Sequence, residues 1–152
     1  MTAATLVVND LVYEVRVSSG DDLRAATVTV TLNGRFEWSC AVSGWRGVSL
    51  GASGPVSYLW SARELVVLPR SADIELRKIS FDEDLLFTFG VDYGWVAVCE
   101  TSVRRIVGSV ETARVEFGEV IETARWEGEI LLIQDVAAGE HALRVEGDRL
   151  VD

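Results

Sequence analysis

Ala26-Thr27-Val28-Thr29-Val30-Thr31-Leu32-Asn33-Gly34-Arg35-Phe36-Glu37-Trp38-Ser39-Cys40-Ala41-Val42 is the stretch that decides the fold class. Asn33-Gly34 is a strong hairpin signal, because both residue types tolerate positive φ. The flanking strands fix the register. A two-residue turn would set Val30 opposite Glu37 and Thr29 opposite Trp38, mixing polar and apolar side chains on both faces. A three-residue loop, Asn33-Gly34-Arg35, sets Leu32 opposite Phe36, Val30 opposite Trp38 and Val28 opposite Cys40, which leaves one face wholly apolar. The longer loop with a bulge is therefore expected, with Trp38 and Cys40 pointing into the core.

The same period-2 pattern recurs outward from this hairpin. In Leu11-Val12-Tyr13-Glu14-Val15-Arg16-Val17 the odd positions are apolar while Glu14 and Arg16 face the other way. Further strands are expected at 56–60, 64–68, 74–80, 85–89, 95–101, 103–107, 120–126, 129–135 and 141–145, separated mostly by Gly, Asp, Asn and Pro. Val, Ile and Thr make up 38 of the 152 residues. β-branched side chains stand easily on a pleated sheet and crowd the preceding turn of a helix. One segment is ambiguous: Val110, Ala113, Phe117, Val120 or Ile121, and Ala124 recur at helical spacing after Ser109, whereas Val115 with Phe117 fits a strand and Gly118 interrupts a helix.

The expected fold is all-β: a single-domain antiparallel sandwich or barrel of roughly eight to eleven strands, with at most one short helix. The chain is too apolar for disorder and shorter than two ordinary domains, so residues 1–152 read as one β domain. A weak echo at an offset of 66 relates Trp60…Glu64-Leu65-Val66-Val67 to Trp126…Ile130-Leu131-Leu132-Ile133 and, with one inserted residue, continues to Leu76-Arg77 and Leu143-Arg144. It suggests two duplicated meander units, at approximately 30–90 and 91–152. Open sheets have edges that must be covered, charged or paired, so a homodimer is a further expectation.

The net charge is −10, with 24 acidic against 14 basic side chains. Residues 77–152 carry 16 acids and 8 bases, and residues 1–76 carry 8 acids and 6 bases. No basic stripe exists to meet phosphates or anionic lipid, which argues against nucleic acid and membrane surfaces as partners. The amino terminus, Met1 to Asp10, has neither the basic region of a signal peptide nor the length of a membrane span. Cys40 and Cys99 are the only cysteines and both sit in apolar alternating segments, which suits two reduced core thiols and a cytoplasmic setting.

Motifs for chemistry are weak. Gly47-Val48-Ser49-Leu50-Gly51 has nucleophile-elbow spacing, but Ala52-Ser53-Gly54-Pro55 cannot open the helix such a turn requires. His141, the sole histidine, could serve Ser49 or a cysteine as base. The apolar and acidic surroundings of Cys99, and the place of Cys40 beside Trp38, oppose thiolate formation. Asp82-Glu83-Asp84 with Asp92 lacks the spacing of a calcium loop, and Cys40, Cys99 and His141 make no zinc motif. Gly44-Trp45-Arg46-Gly47 and Gly51-Ala52-Ser53-Gly54 lack the Lys-Ser/Thr ending of a phosphate loop.

No catalytic residue, metal or cofactor is expected. The sequence points to a non-enzymatic cytoplasmic protein–protein interaction module that turns an acidic surface in its second half to a protein partner of basic character. Its likeness to inhibitor or immunity proteins is one of composition only. The candidate binding residues are Trp45 and Arg46, an aromatic-cation pair between glycines, with Tyr58 and Tyr93, and the acidic stretch Glu116, Glu119, Glu122, Glu127 and Glu129. Two alternatives stand beside this reading: a small-ligand or carbohydrate-binding β protein using exposed aromatics, and a carboxylate-dependent enzyme.

Overall fold

The computed structural model describes residues 2–19, 25–43, 48–92 and 94–152, which group into two compact units, Met1–Asp82 and Glu83–Asp152. The first contains β1 (Thr2–Val8), β2 (Leu11–Ser19), β3 (Ala26–Leu32), β4 (Phe36–Val42), β5 (Ser49–Ser53), β6 (Val56–Trp60), β7 (Glu64–Val67) and β8 (Arg77–Ser80). The second contains β9 (Leu85–Val91), β10 (Gly94–Cys99), β11 (Ser102–Val107), β12 (Val110–Glu116), β13 (Ile121–Glu127), β14 (Ile130–Asp135), β15 (Glu140–Glu146) and β16 (Arg149–Val151).

Neighbours in sequence are neighbours in space. The strands form four antiparallel sheets of four, β1-β2-β3-β4, β5-β6-β7-β8, β9-β10-β11-β12 and β13-β14-β15-β16, none closed into a barrel. The protein is all-β, and each sheet has the strand count and up-and-down connectivity of a propeller blade. The last three sheets begin at Ser49, Leu85 and Ile121, each 36 residues after the one before.

The hairpin of β3 and β4 has the register that the apolar-face argument requires: Leu32 opposite Phe36, Val30 opposite Trp38, Val28 opposite Cys40. Asn33 and Gly34 take positive φ, 52° and 68°, and the Arg35 N–H donates to the Leu32 carbonyl at 3.0 Å. Asn33 also ties the turn to β2, donating its N–H to the Val12 carbonyl and accepting the Val12 N–H on Oδ1, each at 2.8 Å. Tyr13, Val15, Val28, Val30 and Leu32 pack on Leu59, Val66 and Leu68 of the neighbouring sheet. Burying each such side chain contributes about 1.5–3 kcal/mol. Trp38 and Cys40 are half-buried at the margin of this core instead of inside it.

The segment with helical spacing forms strands, β12 and β13. Thr112 and Val115 suit a sheet, and β11 provides a partner from Ser102 opposite Glu116 to Val107 opposite Val110, with one shift of register between Arg105 and Ile106. Sixteen strands appear among the described residues, more than the expected eight to eleven. Thr2–Val8 and Ser49–Ser53 lack clear alternation, and Arg149–Val151 is only three residues long. The offset of 66 relates two hairpins in equivalent register, Trp60 opposite Leu65 and Trp126 opposite Leu131. One joins the second and third strands of its sheet, the other the first and second, so the echo runs out of phase with the sheets.

In the second unit, Val96, Val98 and Val103 of one sheet pack against Ile121, Leu131, Ile133 and Leu143 of the other. Phe89 meets Trp126 edge-on at this seam, their rings 5.8 Å apart.

Candidate functional site

Of the ten net negative charges, nine fall in Glu83–Asp152, where 15 acids face 6 bases, and one in Met1–Asp82. Two of those six bases do not reach the surface. Arg104 is 3% exposed and Arg105 1% exposed. The Arg104 guanidinium donates to Glu83 Oε2 and Ser102 Oγ, each at 3.1 Å, and lies 3.5 Å from Glu111 Oε1. No carboxylate among the described residues lies within ion-pair distance of Arg105. Arg105 donates instead to five carbonyl oxygens: Gly147 at 2.9 Å, Val91 and Asp92 at 3.0 Å, Trp95 at 3.3 Å and Ile106 at 3.5 Å. Burial pushes its guanidinium pKa down, while Asp92 and Asp148 oppose that shift. A buried cation survives here because its donors are satisfied by fixed dipoles. Arg105 thereby clamps the β9–β10 turn to the β15–β16 turn.

At the surface of the second unit carboxylates outnumber the four exposed arginines, Arg114, Arg125, Arg144 and Arg149, although Asp84 and Asp135 are buried, and β13 divides the acidic stretch between its ends. Glu116, Glu119 and Glu122 lie around the β12–β13 loop, whereas Glu127 and Glu129 flank the β13–β14 turn, roughly 20 Å away at about 3.3 Å per residue. All five are exposed. Glu116 stands 3.6 Å from Arg114 and Glu127 3.7 Å from Arg125, pairs so exposed that each contributes about 0–1 kcal/mol. No basic side chain among the described residues lies against Glu119, Glu122 or Glu129.

At the Glu119 end, two large apolar side chains are exposed, Val120 at 42% and Val136 at 56%. Their backbones meet through the Val136 N–H, which donates to the Val120 carbonyl at 2.9 Å. The adjoining β14–β15 turn is built on Asp135. Its Oδ1 accepts the N–H groups of Ala137 at 2.9 Å and Gly139 at 2.8 Å. Oδ2 lies 3.0 Å from His141 Nε2, whose ring packs on Phe117 at 4.7 Å. The only histidine is thus tied into a turn, with no serine or cysteine among its partners.

The His141 hydrogen bond first, then the Gly139 N–H, hold the Asp135 carboxyl below its ordinary 3.8. A carboxyl depressed on folding stabilises the fold above its unfolded pKa and loses that contribution as pH falls through the folded one. Thermal melts stepped from about pH 6 to pH 2 should show a steep acid limb that Asp135→Asn flattens; parallel limbs for the two proteins would contradict this.

The opposite end holds a cleft of about 680 Å³ lined by Gly90, Val91, Asp92, Trp126, Gly128, Glu129, Arg144, Val145 and Glu146. Half-buried Trp126 supplies its aromatic wall. Asp92, Glu129 and Glu146 outnumber the one cation, Arg144, which is 56% exposed and 3.9 Å from Glu146. The clamp of Arg105 on the Val91 and Asp92 carbonyls fixes one wall.

Of the residues expected to bind, only Glu129 lines this cleft. Tyr58 is buried in β6, 5% exposed, with its ring over Gly51, so it offers no surface to a ligand. Burial pushes its hydroxyl pKa up. Trp45, Arg46 and Tyr93 lie outside the described residues. Reading the sequence missed Arg105, Asp92 and Trp126 as a group. The available signal was a pair of cations inside the otherwise apolar run Val103 to Val107.

Ser49 opens an antiparallel strand opposite Trp60, not a strand-to-helix turn. Neither Cys40 nor Cys99 is joined in a disulfide among the described residues, and burial pushes the Cys40 pKa up against the opposing charge of Lys78. Among the described residues, no group of three or more His, Cys, Asp or Glu side chains could hold a metal ion, and no helix is long and apolar enough to cross a membrane.

No protein-family model matches the chain. No curated protein matches it. Among solved structures it is similar to the crystal structure of HIRA(644-1017), with 16% identity and a TM-score of 0.46 over 92% of this chain and 49% of that one. The chain thus spans about half the length of that structure. A likeness this distant carries no argument about function.

Proposed function

We propose that this protein is a non-enzymatic protein-interaction module whose partner, basic in character, docks on the acidic second unit. The observation that carries the reading is the disposition of charge. Nine of ten net negative charges belong to Glu83–Asp152, and because Asp84 and Asp135 are buried as well as Arg104 and Arg105, that excess is carried by exposed side chains. A field of this kind steers and selects a basic partner more than it binds one. Apolar contact must supply affinity. Exposed Val120 and Val136 beside Glu119 and Glu122 give an apolar centre with a charged rim, the usual anatomy of a docking patch.

Charge reversal tests this. The triple variant Glu116→Lys, Glu119→Lys, Glu122→Lys changes only exposed side chains and should fold as the parent does. The parent should retain a basic protein at about 50 mM salt and release it near 500 mM, since the Debye length shortens severalfold over that range. The variant should retain none of it. Retention of the same protein by the variant would sink the proposal.

A further inference from the structure

We propose that the cleft at the β13–β14 end of the second unit is a receptor for an arginine side chain of the partner. This rests on the interaction reading and supplies the element it lacks, a shaped site. Three observations converge on a cationic, planar occupant. The lining carries three carboxylates, Asp92, Glu129 and Glu146, against Arg144; Glu146 is shared with Arg149 at 3.4 Å, whereas no basic side chain among the described residues lies against Glu129. Its aromatic wall is an indole, the side chain that attracts cations best through its π face. Its volume, about 680 Å³, is ample for a guanidinium on its stem with hydrating water.

Arginine fits these groups better than lysine. Its planar head stacks on an indole and offers forked donors to a carboxylate, whereas an ammonium is a strongly hydrated point charge. Arg144 does not fill the role itself, because it stands at the rim, more than half exposed and at long range from Glu146. The walls are held before any ligand arrives. Phe89 packs against Trp126 from within the seam, and Arg105 fixes the turn that bears Asp92. A preformed site loses less entropy on binding. Arg105 is accordingly a positioning residue, buried beneath the cleft.

The test uses the full chain and a capped Gly-Arg-Gly peptide, followed by the indole N–H resonances of the five tryptophans, assigned by single Trp→Phe replacements. The Trp126 resonance should move in a saturable way with the arginine peptide and stay in place with the citrulline peptide, its neutral isostere. Glu129→Gln, at an exposed position with no basic neighbour among the described residues, should weaken the arginine peptide about threefold to fivefold while leaving the melting curve unchanged. Equal shifts from arginine and citrulline, no Trp126 shift at all, or a shift produced only by a neutral disaccharide would each overturn the proposal. If the cleft fails while reversal of Glu116, Glu119 and Glu122 still abolishes partner retention, the interaction reading stands and only the arginine site falls. If that reversal changes nothing, the wider reading falls with it.

Discussion

Arg105→Met is expected to destabilise the second unit by about 3–5 kcal/mol, as loss of one member of a buried polar network does. Methionine fills much of the volume but donates nothing, so the carbonyls of Val91, Asp92, Trp95, Ile106 and Gly147 lose a partner, and those of Trp95 and Ile106 lie in buried strands. Each acceptor left unsatisfied costs about 1–3 kcal/mol. Those carbonyls belong to both sheets of the unit, so the damage should spread across it. Hydrogen exchange should accelerate through β10, β11 and β15 while β2 and β3 keep their protection. Arg105→Lys should recover only part of the loss, because three donors on one nitrogen cannot span acceptors on separate turns. A urea midpoint for Arg105→Met equal to that of the parent would show that the clamp carries no stability.

Gly94→Ala is the second substitution expected to be severe. Gly94 opens β10 opposite Val107 on one side and Val91 on the other. A Cβ built there stands 2.0 Å from the Ile106 carbonyl oxygen and 3.1 Å from its carbon. The obstruction is backbone, which has no rotamer to change, so the β10–β11 ladder must open. The cost should reach about 3 kcal/mol, the upper part of the range for overpacking. Gly51→Ala is the informative comparison. Its Cβ meets the Tyr58 ring at 2.8 Å, and a ring can swing where a ladder cannot. The Tm of Gly94→Ala should fall well below that of Gly51→Ala, and the reverse order would contradict the assignment.

Sequence reading succeeded where a local rule and a tertiary demand agreed. The β3–β4 register was legible because Asn33-Gly34 names the turn and only one pairing collects Val28, Val30 and Leu32 with Trp38 and Cys40 on one face. It failed where side chains obey two periods at once. Val110, Ala113 and Phe117 suit a helix as well as a strand, and only pairing with β11 decides between them. Tyr58 was a candidate binding aromatic, yet Ser57, Tyr58 and Leu59 are all buried. Strands covered on both faces carry no alternation to read.

The candidate site was legible in part for a similar reason. Exposed carboxylates reveal themselves by composition, and Glu116, Glu119, Glu122, Glu127 and Glu129 are all at the surface. Their division between the two ends of β13 depends on which residues turn and which extend, and the sequence left that segment ambiguous. The inward Arg105 was harder still, because its acceptors are carbonyl oxygens supplied by residues as distant as Val91 and Gly147. No side-chain pattern marks a site made from backbone.

The proposed contact runs from a basic protein partner to the carboxylates of the second unit. Zero-length carbodiimide coupling of the native complex is the decisive experiment, because this reagent joins carboxylates to amines and the chain contains a single lysine, Lys78. Nearly all its cross-links to a partner must therefore run through its own Asp and Glu side chains. Cross-linked peptides should carry Glu116, Glu119, Glu122, Glu127 and Glu129. Adducts confined to Glu14, Glu37, Asp73 or Glu75 of the first unit would contradict the claim.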